Sequence, residues 1–135
     1  MGSFYDLEAW KKCREFRTKV REVYLSLPVS EKYHLVDQLK RASRSTTANI
    51  AEGFGRFHYQ ENIQFCRHSR GSLNEVLDHL ICAYDEEYIS KEKLSELKTD
   101  YELCLKILNG YISFLQKQKD IDNNKKDNKP NNNTQ

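Results

Sequence analysis

The sequence predicts an all-α protein, an antiparallel up-and-down four-helix bundle. Three observations carry that prediction. Apolar residues recur at steps of three and four, the spacing that gathers them on one helix face. Only two prolines and five glycines occur in 135 residues, which suits helices better than a β-sandwich. The apolar repeats fall into four helix-length runs with short connections, so neighbouring helices run antiparallel. The length is that of one domain with a real core.

The first helix is expected after Asp6, which would serve as its N-cap. Its apolar stripe is Ala9, Cys13, Phe16, Val20, Val23, Tyr24 and Leu27, and Pro28 ends it. Leu7 and Trp10 sit at the edge of the stripe, placed to cover the bundle end or to touch a second subunit. The second helix, capped by Ser30, is expected from Glu31 to about Phe57. At 100° per residue its inner side holds Leu35, Val36, Leu39, Ser43, Thr46, Ile50, Gly53, Phe54 and Phe57. Gly53 and Gly55 could also end it sooner. The third helix spans about Tyr59 to Tyr84, with Ile63, Cys66, Ser69, Leu73, Val76, Leu77, Leu80 and Tyr84 inward. Asp85, Glu86 and Glu87 are read as the loop, because acids are disfavoured at a helix C-terminus. Ser90 caps the fourth helix, where Leu94, Leu97, Tyr101, Cys104, Leu108, Tyr111 and Leu115 form a strict heptad seam. Residues 1–115 therefore form the bundle. Residues 116–135, rich in Asn and Lys with almost no apolar side chains, are expected as a disordered tail.

The stretch from Gln38 to Arg56 is unusual. Between Ala42 and Gly55, nine of fourteen residues are Ala, Ser, Thr or Gly, which permits close helix approach. Such residues cost helix propensity, so packing or binding must offset the loss. Arginines flank the stretch, and their planar forks suit carboxylate or phosphate. Charge is unevenly distributed. Residues 38–70 carry six Lys/Arg against two acids, and residues 71–104 carry three against nine. Either the two halves neutralise each other across helix interfaces, or the basic half is a patch for nucleic acid. Lys40, Arg41, Arg44, Arg56 and Arg67 are the candidate phosphate contacts. Arg70 lies nearer the inner face and could instead pair with a buried acid. Phe54, Phe57 and Tyr59 lie nearby but form no aromatic ladder.

No phosphate-cradling loop, HExxH or GxSxG motif occurs, and no enzyme, cofactor or small-molecule substrate is expected. His79 and Cys82 are three apart on one helix but lack a matching pair, so no metal site is expected. Glu52, Arg56 and His58 read as a solvated ion pair with a bystander. Cys13, Cys66, Cys82 and Cys104 suggest no disulfide framework, in keeping with a reducing cytoplasm. The first ten residues do not read as a signal peptide, Asp6 breaks the myristoylation pattern, and no apolar run would span a bilayer.

Four segments carry a family resemblance: FYDLEAW, EKYHLVDQLKRAS, SRSTTANIAEGFGR and RGSLNEVL. Together they resemble the four-helix bundle proteins encoded in 23S ribosomal RNA intervening sequences, from about Phe4 to Leu115. The run Ala48-Asn49-Ile50-Ala51-Glu52-Gly53, then Arg56, with Gly71-Ser72-Leu73 downstream, is the most specific part. The chain departs from the family pattern at Thr46, Thr47 and Ala48, and at Ser69 and Arg70. The resemblance implies a bundle that assembles as a ring, a homopentamer. It also implies a fold similar to the accessory protein of diversity-generating retroelements, a basic barrel that binds nucleic acid and a reverse transcriptase. No catalytic residues carry over. In such a ring Ser45, Asn49, Glu52, Gly53 and Trp10 would lie at the subunit interface, and ribosomal RNA or another nucleic acid would meet the arginines. The competing expectation is a homo-oligomeric scaffold whose arginines pair with the acidic helices.

Overall fold

The computed structural model describes residues 2–128. After a 3₁₀ turn at Phe4–Asp6 come four helices: α1 (Glu8–Ser26), α2 (Leu35–Phe54), α3 (Tyr59–Asp85) and α4 (Lys91–Asp127). A second 3₁₀ turn, Val29–Glu31, lies between α1 and α2. Helix α1 packs on α2 and α4, and α3 packs on the same two, while the backbones of the diagonal pairs stay further apart. This is the antiparallel up-and-down bundle. No strand occurs among the described residues.

The inward stripes meet on the axis. Phe16 and Val20 of α1, Leu39 and Ile50 of α2, Ile63, Leu73 and Leu80 of α3, and Leu97 and Leu108 of α4 are all fully enclosed. Fully burying a Leu, Ile, Val or Phe contributes about 1.5–3 kcal/mol, so this layer outweighs the surface ion pairs. On α4 the heptad seam alternates buried Leu97, Cys104, Leu108 and Leu115 with half-buried Leu94, Tyr101 and Tyr111. The half-buried tyrosines keep their hydroxyls in polar company: Tyr101 donates to Asn74, and Tyr111 accepts from Asn62 Nδ2 at 3.2 Å.

Helix ends differ from expectation in four places. Asp6 does not cap α1; its carboxylate accepts the Ser3 N–H at 2.9 Å and closes the 3₁₀ turn. Helix α2 starts at Leu35 rather than Glu31, because the chain leaving Pro28 first makes the Val29–Glu31 turn. It stops at Phe54, with Gly55 as C-cap, so Phe57 leaves the inner face and is 93% exposed. Helix α4 does not stop near Leu115. Residues 116–127, expected as disordered, continue it for about three further turns. Extending a packed helix adds one hydrogen bond per residue without a new nucleus, and no Gly or Pro intervenes. Gln116 Nε2 donates to Asp120 Oδ1 at 3.1 Å, Lys119 Nζ donates to Gln60 Oε1 at 2.6 Å, and Lys125 and Lys126 complement the dipole in the last turn. The remainder of the expected tail, residues 129–135, lies outside the described residues. At Ser90 the expectation holds: its Oγ accepts the Lys93 N–H at 3.1 Å.

One row of small residues on α2, Ser45, Thr46 and Gly53, faces α3. Gly53 is buried, and a Cβ added there would stand 2.7 Å from Asn62 Oδ1 and 2.9 Å from Phe65 Cβ. Ser69 Oγ donates to the Thr46 carbonyl at 2.7 Å, and the Ser45 and Ser72 hydroxyls bond at 2.8 Å. Every buried side-chain polar atom among the described residues has a partner, as an enclosed polar group requires.

Two outcomes follow from these contacts. Gly53→Ala will destabilise the bundle by about 1–3 kcal/mol in urea unfolding, as overpacking does. Gly71→Ala and Gly110→Ala, whose added Cβ would meet nothing within 4 Å, will stabilise it by about 0.5–1 kcal/mol each. The thiols give a third. Burial pushes Cys66 up to about 12 from 9.0, and Cys13 is also raised, by its hydrogen bond with Cys104 and then by burial. The folded state thus holds thiol protons that the unfolded chain loses first. That stabilisation is complete below about pH 9 and will be lost as pH climbs toward 12, read as a falling urea midpoint. A native-state thiol reagent will label Cys82, the exposed cysteine, and spare the other three.

Candidate functional site

Two of the five sequence-predicted cations are already engaged. Arg41 Nε lies 3.1 Å from Asp37 Oδ2. Arg56 lies 2.8 Å from Glu52 and 3.8 Å from Glu61, with its guanidinium over the Phe65 ring at 4.9 Å. Arg67 is exposed on the flank of α3 that faces α4, where Arg70 donates to Asn109 Oδ1 at 2.9 Å rather than to an acid. Lys40 and Arg44 sit on the flank of α2 that faces α1. The five do not form one cluster.

The structure instead joins Arg44 to residues of α1 that the sequence reading passed over. Arg17, Arg21 and Arg44, with Thr18 and Tyr24, line an open concavity of about 370 Å³ between α1 and α2. Arg17 Nη1 donates to Thr47 Oγ1 at 2.7 Å, which ties its guanidinium to α2. Thr47 in turn donates to the Arg44 carbonyl at 3.3 Å. Arg14 continues the row toward the bundle end, with its guanidinium 5.6 Å from the Trp10 ring. At 100° per residue Arg14, Arg17 and Arg21 fall within about 60° of one another on α1. That spacing was visible in the sequence as 14, 17, 21. What hid it was the acidic flank of the same helix, which makes α1 look balanced. Among the described residues no carboxylate lies within 4.0 Å of the Arg14, Arg17, Arg21 or Arg44 guanidinium.

The other row of cations on α1 has a different fate. Lys19 Nζ lies 2.9 Å from Asp100 and 4.0 Å from Glu96 on α4, and its ammonium is held above its usual range by the Asp100 hydrogen bond. Lys12 pairs with Glu15 at 3.3 Å. Neutralisation across a helix interface therefore operates between α1 and α4, and leaves the α1–α2 flank positive. Arginines held by a threonine and by a ring, without acids, can grip phosphate or carboxylate oxygens in pairs. They offer no nucleophile or general base.

The expected interface residues are placed as follows. Gly53 is enclosed by α3 of its own chain. Ser45 and Asn49 are half-buried and bonded within the chain: Asn49 Nδ2 donates to the Ser45 carbonyl and hydroxyl, both at 2.9 Å. Glu52 is exposed and paired with Arg56. Trp10 is half-buried, edge-on to Phe4 at 5.4 Å. The Ser45 hydroxyl, the Asn49 Nδ2 and the Glu52 carboxylate thus have partners without a second copy. Among the described residues no three His, Cys, Asp or Glu side chains are grouped to hold a metal, and no helix is long and apolar enough to cross a membrane.

A crystal structure of a protein with unknown function from the S23 ribosomal protein family of Bacteroides thetaiotaomicron VPI-5482 shares the fold. Its TM-score is 0.70 at 24% identity, over 77% of this chain and 97% of that one. None of the curated proteins compared with the chain gives a match. The family model described as 23S rRNA-intervening sequence protein matches residues 5–110, which reaches from the first 3₁₀ turn well into α4. With four helices in the same architecture and most of the bundle matched, the chain belongs to the 23S rRNA-intervening sequence protein family.

Proposed function

We propose that this protein is a non-enzymatic bundle that assembles as a ring and binds structured nucleic acid along its α1–α2 flank. One observation carries the reading: Arg17, Arg21 and Arg44 converge on a single open concavity with no carboxylate in ion-pair range among the described residues. Uncompensated arginines on adjacent helices repel one another, and an anion relieves that repulsion. A concavity bordered by two helices presents guanidinium groups along a line, which matches a phosphate backbone better than an isolated anion. Lys40, on the same flank of α2, extends the line, and Arg41 and Arg56 contribute less because their charges are shared with acids. In a ring of copies, five by the family resemblance, each basic flank is repeated around the axis and the fields add.

Binding is expected to be sequence-tolerant and steeply salt-dependent, because phosphate contacts release counterions. Fluorescence anisotropy with a blunt RNA duplex, across a salt series, measures this. Arg21→Ala and Arg44→Ala will each lower the slope of log affinity against log salt by about 1, whereas Arg41→Ala will change it little. A slope unchanged in both arginine variants would remove the flank from consideration. Light scattering reads the subunit number alongside. If Arg44→Ala changes that number and leaves the affinity intact, the arginines serve assembly, and the chain is a homo-oligomeric scaffold.

A further inference from the structure

The end of the bundle where α2 turns into α3 carries a second concavity, unrelated to the arginine flank. Phe57, His58 and Tyr59 form its floor. Tyr111 and Phe114 of α4 form one wall, with rings stacked at 6.4 Å and 17°. The overhang of α4 forms the continuation, where Lys119, Asp122 and Lys126 line the cleft. The aromatic part measures about 460 Å³, within the roughly 300–1,000 Å³ of small-molecule sites. Phe57 is 93% exposed and Phe114 53% exposed, so two large rings face solvent beside each other's cleft. The polar groups present there are suited to an aromatic heterocycle. The Tyr111 hydroxyl accepts from Asn62 and keeps its own proton to donate. Burial raises that phenol above its usual 10.0, so it stays protonated at neutral pH. His58 and Gln118 add further donors and acceptors.

We infer that this cleft binds an unpaired nucleotide of a single-stranded segment, its base stacked on Phe57 and Phe114 and its phosphate reached by Lys119 and Lys126. The lining discriminates among occupants. A helix-docking groove offers a row of aliphatic sockets, whereas here Leu7 and Leu115 are outnumbered by ring faces, with amides, an imidazole and the Arg56 guanidinium between them. Base stacking on aromatic side chains is sequence-tolerant, because every base has a π-face. Two lysines against one acid, Asp122, give the phosphate side a positive balance. The inference deepens the proposed nucleic-acid role by adding a site for single strands at the bundle end, where the arginine flank takes the duplex.

The test uses the full chain and two probes: a single-stranded RNA carrying 2-aminopurine, and a blunt RNA duplex. Stacking will quench the 2-aminopurine emission on binding. Phe57→Ala and Phe114→Ala will abolish the quench and weaken the single-stranded probe by about five- to 150-fold each, leaving duplex affinity unchanged. Lys119→Ala with Lys126→Ala will lower the single-strand salt slope by about 0.7 per lysine. Phe57 is so exposed that its variant keeps the core, and circular dichroism verifies the fold. No quench in the wild type, or equal losses on both probes, overturns the cleft assignment. So does a change in subunit number on light scattering of Phe57→Ala with the quench intact, which would make a second copy the occupant. If the duplex fails to bind while the quench persists and depends on Phe57, the flank assignment falls and the cleft stands.

Discussion

The close approach of α2 to α3 is the constraint on which the other placements depend. Gly53 lets the α3 backbone and Asn62 come within what would be the reach of a Cβ. Ser45, Thr46, Ser69 and Ser72 then lock the two helices with hydroxyl bonds in place of methyl packing. Hydroxyl bonds fix rotation about the helix axis in a way that a greasy contact does not. With α2 so oriented, Thr47, Arg44 and Lys40 must point toward α1, and Arg41 and Glu52 toward solvent. The basic flank is thus a by-product of how α2 is seated on α3.

Much of this was legible in the sequence, and the parts that were not share a cause. The four helices, the Ser90 cap, the α4 seam and nearly all of the core followed from apolar spacing, because burial of a stripe is what a bundle helix requires. Phe57 lies off the inner face because α2 ends at Phe54 with Gly55 as C-cap, the earlier of the ends that its spacing and glycines allow. The α4 overhang is not legible in composition, because a segment poor in apolar residues still extends a helix that is already nucleated. The meaning of the small residues was harder. Sequence alone cannot say whether a smooth helix face receives a neighbour in its own chain or in another. Here Gly53 and the serines are satisfied within the chain.

The charge pattern shows the same distinction between composition and placement. Counting along the chain put the positive half in α2 and early α3. In space α2 and α1 share it, since Arg17 and Arg21 turn to the same side as Arg44. Acids on α4 draw Lys19 away to the other side of α1. One amphipathic helix therefore carries one neutralised row and one free row of cations, separated only by the stripe that enters the core.

The length of α4 has a mechanical consequence. At 37 residues it extends about 55 Å, against about 30 Å for α2. Lys119 bonds to Gln60, and every residue from Gln116 to Asn128 is at least partly exposed. Protection against hydrogen exchange must therefore decline along the rod, from the enclosed seam at Leu108 to the free end. The aromatic cleft is built across that gradient. On its α3 side Asn62 is buried, whereas Lys119 and Lys126 stand on the overhang, so the lysine side opens more readily than the wall that carries Asn62.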